Sequence, residues 1–267
     1  MHISFEKYHG AGNDFIMIDN RNSIFDGQNF QLIKHLCNRH FGIGADGLIL
    51  IEKSVDMAFK MNYYNADGNP GSMCGNGGRC AVAFANKLRI MNQNADVVFD
   101  AADGRHKASI LSAEYLGSAV VKLSMNDVDK AEAKDDYFFI NTGSPHYIKF
   151  VDDVNAIDVV NEGKAIRYNN RFKTEGTNVN FAQTDGETIK VRTYERGVED
   201  ETLACGTGVT AVALAAAIQS KFIGEHTQNI LATGGNLKVS YKYDGYRFSK
   251  IFLEGDATFV FTGIIEI

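Results

Sequence analysis

No stretch of this sequence concentrates lysine and arginine. Its 27 basic and 33 acidic residues are interspersed, for a formal net charge of -6. Holding a phosphate backbone takes clustered positive charge, so nucleic acid is not an expected partner. Long apolar runs are also missing. The longest, near Val212 to Ile218, falls far short of the ~20 residues that span a bilayer. The opening segment MHISFEKYHG carries charges and no apolar signal core. The expected setting is cytoplasmic, with no membrane partner. Cysteine is scarce: four residues in a chain of 267 cannot make a disulfide scaffold, and a cytosol would keep them reduced. Cys74 and Cys80 lack the spacing of common zinc sites, and no histidine pair at ligand spacing lies beside them. No metal is expected. The glycine-rich segments lack the Gly-Lys-Ser/Thr ending of a nucleotide loop, and there is no pyridoxal-type lysine motif, so no cofactor is expected either.

With 45% apolar and 22% charged residues, the composition is that of a globular protein with a substantial core. Its length admits two domains of ordinary size, and an internal correspondence favours two. Cys205 lies 131 positions after Cys74. At that offset Cys74-Gly75-Asn76-Gly77 falls on Cys205-Gly206-Thr207-Gly208, each opening an alanine-rich apolar run. Tyr63 falls on Tyr194, Gly12 on Gly143 and Gly47 on Asn178. Several landmarks in one order at one offset point to an ancient duplication of a whole domain. The polar run from Met125 to Ala133 reads as the boundary. The halves are then 1–125 and 126–254, with a C-terminal strand at 255–267 available to complete the first.

Short β-type runs recur along the chain: Phe15 to Ile18, Leu48 to Ile51, Ala58 to Tyr64, Val97 to Phe99, Ala119 to Leu123, Phe138 to Ile140, Val179 to Phe181, Thr188 to Tyr194, Leu237 to Tyr243 and Phe248 to Leu253. Helices are predicted over Phe30 to Asn38, Gly77 to Leu88 and Gly208 to Lys221. The last two are small-residue and nearly unbroken in apolarity, as a helix enclosed by strands would be. The expected class is α+β: two pseudo-symmetric domains, each a curved, mainly antiparallel sheet around a central helix, with the active site in the interdomain cleft.

Cys37 and Cys80 sit in apolar or helix-like surroundings and read as structural thiols. Cys74 and Cys205 differ, because each stands at the start of a predicted helix. The first N–H groups of a helix have no internal acceptor, and the macrodipole adds partial positive charge there. A thiolate or a bound carboxylate is stabilised at such a place. Two domain copies about a pseudo-twofold axis would bring the two thiols to one substrate from opposite sides. Inversion of a carbon needs that geometry, with one group removing a proton and the other delivering one. A cysteine, with an ordinary pKa of about 8.5, can be tuned to either role. A serine cannot. The charge that develops on the substrate carboxylate would be met by the two helix N-termini.

At these residues the sequence resembles the diaminopimelate epimerase family. The likeness runs through KYHGAGNDF (Lys7 to Phe15), GIGADG (Gly42 to Gly47), YNADGNPGSMCGNGGRC (Tyr64 to Cys80), GSPH (Gly143 to His146), GTNVNF (Gly176 to Phe181) and YERGVEDETLACGTG (Tyr194 to Gly208). It implies cofactor-independent interconversion of LL- and meso-2,6-diaminopimelate, in lysine and peptidoglycan precursor biosynthesis, by a homodimer. Cys74 and Cys205 would be the catalytic pair, with Gly75, Asn76, Gly206 and Thr207 holding the reacting carboxylate through the backbone. Asn13, Asn65 and Asn178 would bind substrate. Glu195 and Arg196 would meet the distal amino-acid centre, where an arginine fork suits a carboxylate. His146 and Glu195 would tune the thiols.

Three positions depart from fuller versions of the pattern. Gly47 stands where some members carry glutamine, Ser144 where many carry asparagine, and Phe261 where some use a tyrosine at a dimer contact. A proline or hydroxyproline racemase on the same two-cysteine plan is the nearest alternative, although its loop would read CGHG. A binding module of this fold without catalysis is the other.

Overall fold

Parallel strands cannot be joined by a hairpin, so the chain must cross over between them, and a helix usually makes the crossing. That rule accounts for every α-helix in the computed structural model, which describes residues 2–91, 96–113 and 117–267. The chain divides into two compact units, Met1–Leu123 with Gly255–Ile267, and Ser124–Glu254. The first contains β1 (His2–Gly10), β2 (Asn13–Asp19), α1 (Phe30–Cys37), β3 (Gly47–Glu52), β4 (Lys60–Asn65), α2 (Gly75–Lys87), β5 (Val97–Ala101), β6 (Gly104–Ala113) and β7 (Ala119–Ser124). The second contains β8 (Ala131–Ala133), β9 (Phe138–Asn141), β10 (Pro145–Phe150), α3 (Val159–Arg167), β11 (Asn178–Asp185), β12 (Thr188–Glu195), β13 (Asp200–Thr202), α4 (Gly206–Gln219), β14 (Gly224–Ala232) and β15 (Gly235–Tyr243). The long β16 (Phe248–Glu266) begins in the second unit and ends in the first.

In the first unit β2 and β3 run parallel across α1, and β4 and β5 run parallel across α2. The pairs β1–β2, β3–β4, β5–β6 and β6–β7 are antiparallel, and the end of β16 pairs antiparallel with β1. The second unit repeats the plan. Strands β10 and β11 are parallel across α3, and β12 and β14 are parallel across α4, while β8–β9, β9–β10, β11–β12 and β14–β15 are antiparallel. Register repeats as well: Phe15 faces Gly47 in β2–β3, and His146 faces Asn178 in β10–β11, each residue 131 positions on.

Each unit has one helix of each kind. The outer helix is amphipathic. Ile33, Leu36 and Cys37 of α1 pack on Ile16, Ile18, Leu48 and Leu50, and Val159 of α3 packs with Val179, Phe181 and Tyr194. The other helix is sheathed. Residues Gly75 through Ala85 of α2 are all buried, as are most positions of α4 from Gly206 to Ala217. Small side chains let the surrounding strands approach on all sides, which explains why these helices lack a polar stripe.

Several elements differ from the sequence expectation. Both sheathed helices begin two residues early, at Gly75 and Gly206, because the glycines that read as loop are already helical behind a cysteine cap. Helix α3 was not anticipated. Its segment VVNEGKAIR carries a mid-helix glycine, and its start is set by Asp158, whose side chain accepts from Asn161 N–H. Strands β1, β6, β8, β10, β13 and β14 were also unread, β14 because only Ile230 and Ala232 of its residues are buried. The polar run read as the boundary contains β8, and the units divide just before it, at Leu123 and Ser124.

Leu214 in α4 is fully enclosed. Leu214→Ala is expected to lower unfolding free energy by about 3 kcal/mol, read from the urea midpoint at unchanged m-value. A loss within error of zero would show that α4 is not the packed centre of its unit.

Candidate active site

Position on the helices, not burial, separates the four cysteines into two kinds, since Cys205 is buried along with Cys37 and Cys80. Cys37 and Cys80 are enclosed, and loss of solvent pushes both thiols up to about 12, so they stay protonated and inert at neutral pH. Cys74 and Cys205 are N-caps. Their backbones are extended, with φ of -109° and -112°, and each opens a helix whose first residues are glycine.

At Cys74 the sulfur accepts from Gly77 N–H at 3.5 Å and donates to Asn13 Oδ1 at 3.6 Å. The direction of the second bond follows from the neighbours. Asn13 Nδ2 donates to Asp46 at 2.8 Å, and a carboxylate can only accept, so Asn13 must turn its oxygen toward the thiol. Asn76 Nδ2 donates to the same oxygen at 3.3 Å, and Asn76 Oδ1 is held by Arg79 at 3.0 Å. Asp46 belongs to a charged cluster in which Arg39 bridges Asp14 and Asp46, both at 2.7 Å, and buried Lys7 pairs with Asp14 at 2.7 Å. Burial alone would raise the Asp14 carboxyl, but the bonds from Arg39 and Lys7 outweigh it and lower it to about 2.

The hydrogen bonds around Cys205 run through neutral side chains instead. Its sulfur makes no cap bond to the α4 backbone and lies 3.4 Å from Thr207 Oγ1. Thr207 is 2.9 Å from His146 Nε2 and 3.0 Å from Ser144 Oγ, and its carbonyl accepts from Thr142 at 2.8 Å. Ser144, where many members of the family carry asparagine, is thus part of the cluster, 3.0 Å from His146 Nε2 and accepting from Asn178 Nδ2 at 3.2 Å. Asn178 spends its other N–H on the Pro145 carbonyl, and its oxygen accepts from Arg196 N–H.

The remaining expected residues are more open. Asn65 is exposed at the end of β4. Glu195 accepts from Thr202 Oγ1 at 2.9 Å, and Arg196 is exposed, with Nη1 donating to the Glu175 carbonyl at 2.8 Å. Gly47 has a steric reason: an added Cβ would lie 2.5 Å from the Tyr63 ring, so Tyr63 fills the space a side chain there would need. Sequence reasoning missed Asp46, Arg79 and Thr142, and read Tyr63 only as a landmark of the repeat. Arg79 alone left a signal, as a charge inside an otherwise apolar helix. Among the described residues, no cluster of three or more His, Cys, Asp or Glu could hold a metal ion.

His146 is fully enclosed, and desolvation, with the Arg196 charge as the smaller contribution, lowers it to about 3. An imidazole whose folded value lies below its unfolded value, ~6.5, adds stability above that unfolded value. The contribution fades as pH falls toward the folded value. The His146 ring signals should therefore hold still in NMR from about pH 8 to about pH 4.5. A midpoint near the ordinary value would mean the ring meets solvent.

The family model for diaminopimelate epimerase matches residues 5–126 and 138–260. The diaminopimelate epimerase of Flavobacterium psychrophilum is 50% identical over 256 residues, covering 96% of this chain and 97% of that one. That of Chlorobaculum tepidum is 42% identical, covering 97% and 99%. Among solved structures, a Bacillus anthracis phenazine biosynthesis protein of the PhzF family is similar with a TM-score of 0.78 at 12% identity over 100% of both chains. A hydroxyproline epimerase from Agrobacterium vitis, with bound trans-4-hydroxy-L-proline, gives 0.72 at 13% identity, covering 99% of this chain and 92% of its own. At such identities the structural likeness is one of fold. Matched in both halves by one family model, and over nearly its whole length by relatives of that name, this chain belongs to the diaminopimelate epimerase family.

Proposed function

We propose that this protein interconverts LL- and meso-2,6-diaminopimelate by proton transfer at the α-carbon, without a cofactor, supplying lysine and peptidoglycan precursors. The observation that carries the reading is that two thiols, and only these two of four, cap the starts of sheathed helices in a chain of this family. Cys74 and Cys205 exchange the roles of base and acid according to which stereoisomer is bound. As the proton leaves, charge moves onto the substrate carboxylate, and the N–H groups of Gly75, Asn76, Gly206 and Thr207 stabilise it by dipoles already in place. Asn13, Asn65 and Asn178 bind the substrate, and His146 and Glu195 set the proton affinity of the thiols. Glu195 and Arg196 recognise the distal zwitterion, which separates diaminopimelate from simpler amino acids. A homodimer completes the proposal; Val260, Phe261 and Ile264, partly exposed on β16, are apolar surface that it would cover.

Two cysteines working from opposite faces must deliver a proton other than the one removed, and that proton comes from a thiol exchanged with solvent. In heavy water, early product should carry deuterium at the inverted carbon while remaining substrate stays unlabelled. Cys74→Ala and Cys205→Ala should each abolish inversion. Substantial turnover by either variant, or rapid labelling of unreacted substrate, would end the paired-thiol assignment. Chiral analysis after incubation with LL-diaminopimelate alone tests the activity itself.

Arg196→Ala should reduce kcat/KM by at least about a hundredfold, because the distal carboxylate would be left without its charged partner. Near-normal kcat/KM would return Arg196 to the solvated surface.

A further inference from the structure

The bonds around His146 have a direction, and one residue sets it. Asn180, fully buried on β11, donates from Nδ2 to the Tyr147 carbonyl at 3.0 Å and accepts at Oδ1 from Thr193 Oγ1 at 3.0 Å. A carbonyl oxygen can only accept, so the Asn180 amide cannot be turned the other way. Its second N–H lies against His146 Nδ1 at 3.2 Å. That nitrogen must then be the bare one, and the single proton of the neutral ring sits on Nε2, directed at Thr207 Oγ1 and Ser144 Oγ. Ser144 Oγ, accepting from Asn178 Nδ2 and sharing this proton, has both lone pairs in use and turns its hydrogen to Thr207 Oγ1, which leaves the Thr207 hydrogen for Cys205 Sγ at 3.4 Å. In the opposite tautomer Nε2 would be an acceptor and would draw the Thr207 hydrogen away from the sulfur. The packing is built for the amide: a Cβ at residue 208 would lie 2.5 Å from Asn180 Oδ1, so Gly208 makes room for it beside the start of α4.

We infer that Asn180 is a positioning residue that locks His146 in the Nε2–H tautomer and thereby points the Thr207 hydroxyl at Cys205. The inference rests on the reading of Cys205 as a reacting thiol. A hydrogen bond donated to the sulfur favours its thiolate, so Asn180 acts on the base form of Cys205 through two intervening groups without touching substrate.

The test is the tautomer itself, read by nitrogen-15 NMR of the histidine rings at about pH 9, well above the ordinary imidazole range of ~6.5. His146 is assigned by loss of its signals in His146→Asn. Wild-type protein should show Nε2 protonated and Nδ1 bare. Asn180→Asp places an acceptor-only group against Nδ1 in the same volume, so Nδ1 should become protonated. At the same pH its kcat should fall at least about tenfold with KM within about twofold of wild type, since no substrate contact is removed. A protonated Nδ1 in the wild type overturns the inference without any variant. So does Asn180→Asp with Nδ1 still bare, or with the proton moved and kcat unchanged. Failure of the epimerase reading would look different: the expected wild-type tautomer in a protein that does not turn over diaminopimelate.

Discussion

A helix enclosed by strands has to begin somewhere, and its first N–H groups need partners that its own backbone cannot supply. In α2 burial starts at Gly75 itself, so water is largely kept from that end. Serine, threonine or aspartate would cap such a start better than cysteine does. In α4 the cysteine makes no cap bond at all, and in α2 its contact with Gly77 N–H is long, at 3.5 Å. The fold thus forgoes capping stability at the two places where it is most needed. What the sequence keeps there is a group able to hold negative charge and to pass a proton.

The two units share strand order, pairing sense and one register, yet the polar groups around the two sulfurs have diverged. Where β10 of the second unit carries His146, the equivalent position of β2 is Phe15, which stacks edge-on to Tyr63. Where β11 carries Asn178, β3 has Gly47, with Tyr63 in the space. Around Cys74 the orientation of Asn13 is fixed by formal charges, running from Lys7 and Arg39 through Asp14 and Asp46. Around Cys205 it is fixed by neutral donors and acceptors, Asn180, His146, Thr207 and Ser144. One topology therefore presents two chemically distinct thiols.

How much of this the sequence disclosed depended on range. The cysteine motifs were readable because they repeat and because the alanine-rich runs behind them have a composition that only a sheathed helix explains. Gly12 and Gly143, matched at one offset, both take positive φ, 82° and 110°. Strand β14 was not readable, since its sequence GEHTQNILA gains its conformation from pairing with β12 and β15 rather than from a buried face. The polar chains were hidden for a similar reason. Asn180 lay within a motif that was quoted, but its partners come from β10 and β12, and no spacing rule brings Tyr147, Thr193 and His146 to one amide.

Arg79 shows how a buried charge bears on the chemistry. Its guanidinium is fully enclosed and reaches back along α2 to the Gly75 carbonyl and the Asn76 side chain, at 3.3 and 3.0 Å. Its Nε has no hydrogen-bond partner among the described residues, and desolvation lowers its pKa. Positive charge at a helix N-terminus adds to the dipole instead of offsetting it, so the arrangement is unfavourable by itself. A negative charge at the same end removes the penalty. The Cys74 sulfur is one candidate; the fields opposing the lowering of Arg79 come first from Cys80, then from Cys74 and Asp256. A substrate carboxylate held by the N–H groups of Gly75 and Asn76 is the other. On the proposed mechanism one or the other is present throughout turnover, so the buried arginine favours each charged state that the reaction passes through at this end of α2.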